Sequence, residues 1–563
     1  MPRKLQPEMS VRLVANDFPP TRDVFRSYGE ETERPVFGHL ESLAHFARRR
    51  RIPLDRLLDE VAGAAGLEMD RNASADQRLH RPFIATALLV TLSLGALWGA
   101  YLLLKIGWSG TFSVIPAAYV VAHGNAQLWG FVAVFIVGIA LRYLGGATSR
   151  PAPRRAVRRL LLAALIASAV ADFAWSVAPQ TLPWLGVTRG VALLIAAAVY
   201  WIVVFRFVRA QLDQVWAESV LAAAGWFVLG ACWTLWLGIR AGGEGPGSFT
   251  QTDRQVVMDL ALFGLAMTSV YGFGRKLLPG LMGIGKPGRG MVEAAFWLHN
   301  VGLAVLLAGH AGHTAPLVIA GLCAIALGAL AFVAGLRGLR VAVASGRSAI
   351  GHPLLRRYMQ LALVWLLISL TGFAVVAALQ SARGMVVPHA VTGALRHAFT
   401  VGFVVTLILG VAQRLIPVLE HTPLAMPRLV APTFYLIATG NLVRVASELA
   451  AAWSTSAFRV MPLSALLELG ALTLFSVNIV RTIWPAPDPL LRTGRVTLDS
   501  RAAVLFEEHP WIEDELIAWG LDYVRRARQV PAELTIGTMA SSNGFEAAET
   551  VARINALLRA RHS

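Results

Sequence analysis

Residues 395–417 read LRHAFTVGFVVTLILGVAQRLIP, an apolar run in which Arg396 and His397 sit side by side near one end. An ionisable group inside such a run is unfavourable in lipid and marks a functional position by default. His123 holds a comparable place in a second run, HGNAQLWGFVAVFIVGIALRYLG at 123–145. Neutral imidazole binds iron, copper or zinc through one ring nitrogen. Two histidines at matching depth on facing helices can therefore grip one haem iron from opposite sides. His299, His310 and His389 gather in the same predicted outer half of the molecule. His299 and His310 are separated by three helical turns along one face, and the three are candidates for a second metal site. Arg396 and Arg444 are candidates for holding haem propionates, because a guanidinium fork matches a carboxylate. For Arg444 the bland reading is an i,i+4 salt bridge to Glu448.

An internal repeat supplies the elements that must position these groups. The glycine pairs Gly130/Gly138, Gly264/Gly272 and Gly402/Gly410 share one spacing. One helical turn after the second glycine stand Arg142, Lys276 and Arg414, and almost a turn further on Gly145, Pro279 and Pro417. Successive copies are four apolar runs apart, which predicts three four-helix units with equivalent helices two, six and ten. His123 precedes Gly138 by two positions more than His397 precedes Gly410, a difference of about 3 Å along a helix. In the middle copy Asp259 takes the place of His397.

The composition agrees with a chain that lives in lipid. Its 563 residues are 56% hydrophobic and only 15% charged, which excludes disorder and an ordinary soluble enzyme. Twelve apolar runs are long enough to cross a hydrocarbon core of about 30 Å, at roughly 82–105, 114–143, 156–178, 187–209, 216–240, 254–278, 290–309, 314–338, 355–380, 388–417, 427–450 and 457–483. In lipid each must satisfy its own backbone, so the expected fold is an all-α polytopic membrane protein. The net charge of +17 is not a nucleic-acid signal, because it concentrates in alternate loops. Arg150, Arg154, Arg155, Arg158 and Arg159 form one such cluster, Arg206 and Arg209 a second, Arg275, Lys276, Lys286 and Arg289 a third, and Arg337, Arg340, Arg347, Arg356 and Arg357 a fourth. That asymmetry predicts an inner-membrane protein with both termini in the cytoplasm. Cys232 and Cys323 fall inside predicted spans, so no disulfide framework is expected. No signal peptide is expected, since a long, mostly polar segment precedes the first run.

Polar segments flank the body, giving expected domains at 1–80, 81–484 and 485–563. FPPTRDVFRSYG (18–29) and EHPWIEDELIAWG (508–520) share an equally spaced proline and glycine, Pro19/Gly29 and Pro510/Gly520, with an aromatic before each glycine. Proline at the start and glycine at the end predict a short helix in each. Both ends resemble small DUF1858-type domains, and the resemblance implies helical cytoplasmic modules that dock protein partners.

The segment RHAFTVGFVVTLILGVAQRLIP resembles the equivalent helix of the NnrS family, and the body as a whole resembles subunit I of the haem-copper oxidases. The resemblance covers the membrane body and implies bound haem b, with copper as a second candidate metal. It also implies nitric oxide as a gas ligand and a role in nitrosative stress or denitrification-linked redox physiology. Helix six carries Asp259 and Tyr271 but no histidine, and His299 is followed by Asn300. A complete oxidase-type copper centre is therefore not expected, and a haem protein that binds a gas or passes electrons fits better than a proton-pumping oxidase. The rival classes are a secondary transporter and a membrane signalling scaffold without haem.

Overall fold

An apolar run of this length has no water to bond its peptide groups, so it closes them within itself as a helix. The computed structural model shows this for twelve helices long and apolar enough to span a bilayer. They are α1 (Arg81–Ser109), α2 (Ala117–Gly145), α3 (Arg155–Val177), α4 (Leu185–Val208), α5 (Val215–Glu244), α6 (Gln251–Pro279), α7 (Arg289–Ala311), α8 (Ala315–Leu336), α9 (Leu354–Arg383), α10 (His389–Glu420), α11 (Pro427–Ala450) and α12 (Thr455–Ile483). The chain is an all-α polytopic membrane protein, and its described residues include an isolated antiparallel β-bridge between Arg501 and Thr535. The structure describes residues 5, 9, 11–29, 43, 46–47, 50, 52–67, 78–148, 152–282, 288–336, 354–383, 387–420, 424–484, 488–509, 511–520 and 534–562. Arg150, Lys286, Arg337, Arg340, Arg347 and Pro510, named above, lie outside them.

The chain divides into two compact units, one of residues 79–420 and 424–483, the other of 1–78, 421–423 and 484–563. In the first, consecutive helices pack side by side and α12 returns to α1. The repeated helices are the inner ones: 78%, 83% and 72% of the apolar windows of α2, α6 and α10 are buried, against at most 50% for the other nine.

Each inner helix has a π segment, at Ala126–Ala133, Leu260–Met267 and Ala398–Val405. All three begin one turn before the first glycine of their copy, so they keep the register of the glycine repeat. A π turn shifts the backbone ladder to i,i+5 and leaves carbonyls open to side chains. Thr268 and Thr406, each just past its segment, donate to Phe263 O and Val401 O, both at 2.9 Å. The glycines admit the preceding helix. A Cβ on Gly138, Gly272 or Gly410 would lie 2.5, 2.6 and 2.5 Å from Phe83, Val220 and Tyr358, on α1, α5 and α9 respectively.

Small residues also let α7 and α8 touch backbone to backbone. A Cβ on Gly321 would stand 2.6 Å from Leu306 N and 2.7 Å from Gly302 O, neither of which can swing aside. Gly321→Val is expected to lower stability by about 1–3 kcal/mol through overpacking. Gly290→Val, with nothing within 4 Å of its Cβ, is expected to stay close to wild type. Thermal unfolding of both variants in detergent checks this, and equal midpoints would contradict the packing argument.

The second unit contains two cores, one around Phe25, Phe46 and Leu57, the other around Leu505, Ile512 and Met539. Helices Val11–Asp17 and Thr21–Ser27 recur, with the same lengths and the same separation, as Ala502–Glu508 and Ile512–Ala518. Gly29 (φ +79°) and Gly520 (φ +90°) follow these pairs at matching positions, in the left-handed region that glycine adopts without strain.

Candidate functional site

The residue just before each π segment is polar: Asn125, Asp259 and His397. Each reaches the next helix in sequence. Asn125 Nδ2 donates to Asp172 Oδ1 on α3 at 3.1 Å. His310 Nε2, on α7, donates to Asp259 Oδ2 at 3.0 Å. His397 Nδ1 meets Glu448 Oε2, on α11, at 3.1 Å. The partners Asp172, His310 and Glu448 are themselves evenly spaced along the chain. Three polar couples thus occupy corresponding places, each giving an intramembrane polar group the partner it requires.

The couples differ in what completes them. Arg189, on α4, bonds Asp172 and lies 4.6 Å over the Trp175 ring, so the first couple is a buried ion pair. The second is extended by Gln255, whose Nε2 donates to Asp259 Oδ1 at 2.8 Å and whose Oε1 accepts from Arg396 Nη2 at 2.9 Å. In the third, Arg444 Nη2 lies 3.2 Å from Glu448 Oε2. Arg189 Nε beside the first couple and Arg396 Nε beside the second are buried without hydrogen-bond partners, and the third couple has more such atoms than either. Arg444 Nε and Nη1, both polar atoms of the Asn441 amide and Glu468 Oε1 are buried without hydrogen-bond partners. His397, Arg444 and Glu448 all act electrostatically on Glu468 of α12.

His123 joins this third cluster. Both His397 and Arg444 act on it electrostatically. Its Nδ1 lies 3.0 Å from Gly95 O, which can only accept, so Nδ1 carries the proton and Nε2 keeps its lone pair. His397 is arranged alike. Its Nδ1 faces Gly393 O and Glu448 Oε2, both at 3.1 Å, again leaving Nε2 as the free nitrogen. A backbone carbonyl or carboxylate on one ring nitrogen is the arrangement that orients a histidine for a metal on the other. Glycine makes the room: a Cβ on Gly99 would lie 2.5 Å from the His123 ring, and one on Gly393 would lie 2.9 Å from the Glu448 carboxyl carbon.

The expected His123/His397 pair and Arg444 are therefore brought into one neighbourhood. The exact repeat partner of His397 is Asn125, however, and His123 lies two positions nearer the start of α2. Arg396 and His389 line a separate cavity with Gln251 and Arg254. His299 is fully buried, donates from Nε2 to Phe263 O at 2.8 Å and packs edge-on against Tyr271. His299, His310 and His389 thus have different partners. Among the described residues no group of three or more His, Cys, Asp or Glu is placed to hold a metal ion. Two imidazoles suit a haem better than a bare ion, because the porphyrin brings its own four nitrogens. The residues present fit that group.

Sequence reasoning did not single out Asn125, Asp172, Arg189, Gln255 or Glu468. The signal that finds Asp172 is its spacing from His310, which equals that from His310 to Glu448. It is hidden because acid, base and acid succeed one another. A family model described as NnrS protein matches residues 78–486, well over half of the chain. Comparison with curated proteins finds no match.

Proposed function

The chain belongs to the NnrS family, and on that premise we propose an inner-membrane haem protein of nitric oxide or nitrosative-stress physiology, with His123 and His397 as the haem ligands. The observation that carries the reading is the pair of imidazoles with free Nε2 atoms, set at the couple whose neighbours, among the described residues, keep the most unpartnered buried polar atoms. Haem held by both imidazoles would supply one-electron exchange, and would take a diatomic gas only on release of one of them. The protein's own contribution is positional. Gly95 O fixes the tautomer of His123, while Glu448 and Gly393 O hold the Nδ1 proton of His397. Arg444 offsets the Glu448 charge and offers its remaining N–H groups to a carboxylate.

The body is read as three four-helix units arranged as in subunit I of the haem-copper oxidases. Matching π segments, glycine contacts and polar couples support that reading. The terminal helix pairs are read as DUF1858-like cytoplasmic modules that dock protein partners.

The test is a dithionite-reduced minus oxidised spectrum of detergent-purified protein from haem-replete cells. Sharp α and Soret bands are expected, and both should be lost in His123→Ala and in His397→Ala. A well-folded, colourless wild type would overturn the reading.

A further inference from the structure

At the starts of α6 and α10 lies an open cavity of about 130 Å³, lined by Gln251, Arg254, His389 and Arg396. All four can donate hydrogen bonds, and none is an acid. Gln251 and His389 are also the first residues of their helices, so two helix N-termini add positive partial charge at this place.

Among the described residues the positive charge here has no dedicated counterion. Arg254 spends Nε and Nη2 on the neutral Phe249 carbonyl, at 3.1 and 2.7 Å. Arg396 gives Nη2 to the neutral Gln255 amide, and its Nε is buried with no hydrogen-bond partner. The acids nearby are engaged: Asp253 with Arg240 and Thr250, Asp259 with Gln255 and His310, Glu448 with His397 and Arg444. The charges that act on His389 and Arg396 are Arg254, Arg396 and Arg444 against Asp259 and Glu448, so the arginines are in excess before His389 is counted. The line from Arg396 through Gln255 to Asp259 and His310 holds one corner of the guanidinium and leaves the rest of the fork free.

We infer that this cavity binds a small oxyanion or carboxylate, gripped by Arg254 and Arg396, with His389 and Gln251 as further donors. A free fork meets such a group with two parallel hydrogen bonds. The volume corresponds to about four waters at ~30 Å³ each. That admits an anion of a few heavy atoms, or the carboxylate end of a larger molecule, but not a whole porphyrin. The carboxylate therefore has two sources, a free anion from solution or a side arm of a haem bound alongside.

Thermal unfolding of the full chain in detergent, titrated with acetate and with sulfate against chloride at matched ionic strength, tests the site. A saturable rise in midpoint is expected for acetate or sulfate beyond chloride. The half-effect concentration should increase by about tenfold or more in Arg254→Gln and in Arg396→Gln, the loss expected for a charge-assisted hydrogen bond. Gln251→Ala, at an exposed position, should weaken the response without threatening the fold. If the carboxylate belongs to haem, the response appears only in haem-depleted protein. If it comes from solution, it appears with or without haem. A response no greater than that to chloride, or one unchanged in both arginine variants and Gln251→Ala, would overturn the proposal.

Discussion

Asp172→Leu is expected to destabilise the membrane body by about 3–5 kcal/mol, the usual penalty for leaving one partner of a buried ion pair alone. Arg189 would keep its charge between α3, α4 and α5 with only the Thr234 carbonyl, at 3.5 Å, and two aromatic faces for company. Asn125 would lose its acceptor at the same time. The pair as a whole is worth far less than the penalty for breaking it, because both charges lost their hydration on burial. Asp172→Leu combined with Arg189→Met should therefore recover most of the loss. Urea or thermal unfolding of the single and double variants in one detergent gives the coupling directly. Additive losses would show that the two side chains do not depend on each other.

Gly99→Leu is expected to weaken haem retention about 10- to 100-fold although it replaces no proposed ligand. Its Cβ would stand 2.5 Å from His123 Cε1 and 2.8 Å from Nδ1, so the imidazole must leave its position and its bond to Gly95 O. Disturbing the group that orients a metal-binding histidine typically weakens metal affinity about 10- to 100-fold. Pyridine haemochrome content per mole of protein, measured beside thermal unfolding, separates this from simple misfolding. Full haem content in a folded Gly99→Leu protein would remove His123 from the site.

The twelve spans were legible because the bilayer imposes a length and a polarity that no local choice can evade. The repeated glycines were legible because the same contact with the preceding helix recurs in every copy. The polar couples were not, since each joins helices through residues of different chemistry: amide to acid, acid to imidazole, imidazole to acid. Residue identity drew attention to His123 as the match of His397, whereas backbone register assigns that place to Asn125. His310, grouped by type with His299, proved to share a position with two carboxylates and to bond a third, Asp259. His299 is occupied with an opened carbonyl of a π segment, a demand with no local sequence signature.

The π segments carry a consequence for how such a chain tolerates length changes. Each lies between a polar residue that faces the following helix and a glycine that faces the preceding one. Removing one residue between His397 and Thr406 would let the segment relax to ordinary α geometry with the helix beyond it keeping its phase, whereas removing one between Thr406 and Gly410, in ordinary α backbone, would turn everything beyond it by about 100°. Only the second removal would cost the glycine seam and the couple their mutual phase. Single-residue deletions inside the π segments should therefore be better tolerated than equal deletions in the α backbone that follows, and the three segments are where the inner helices can absorb a change of length.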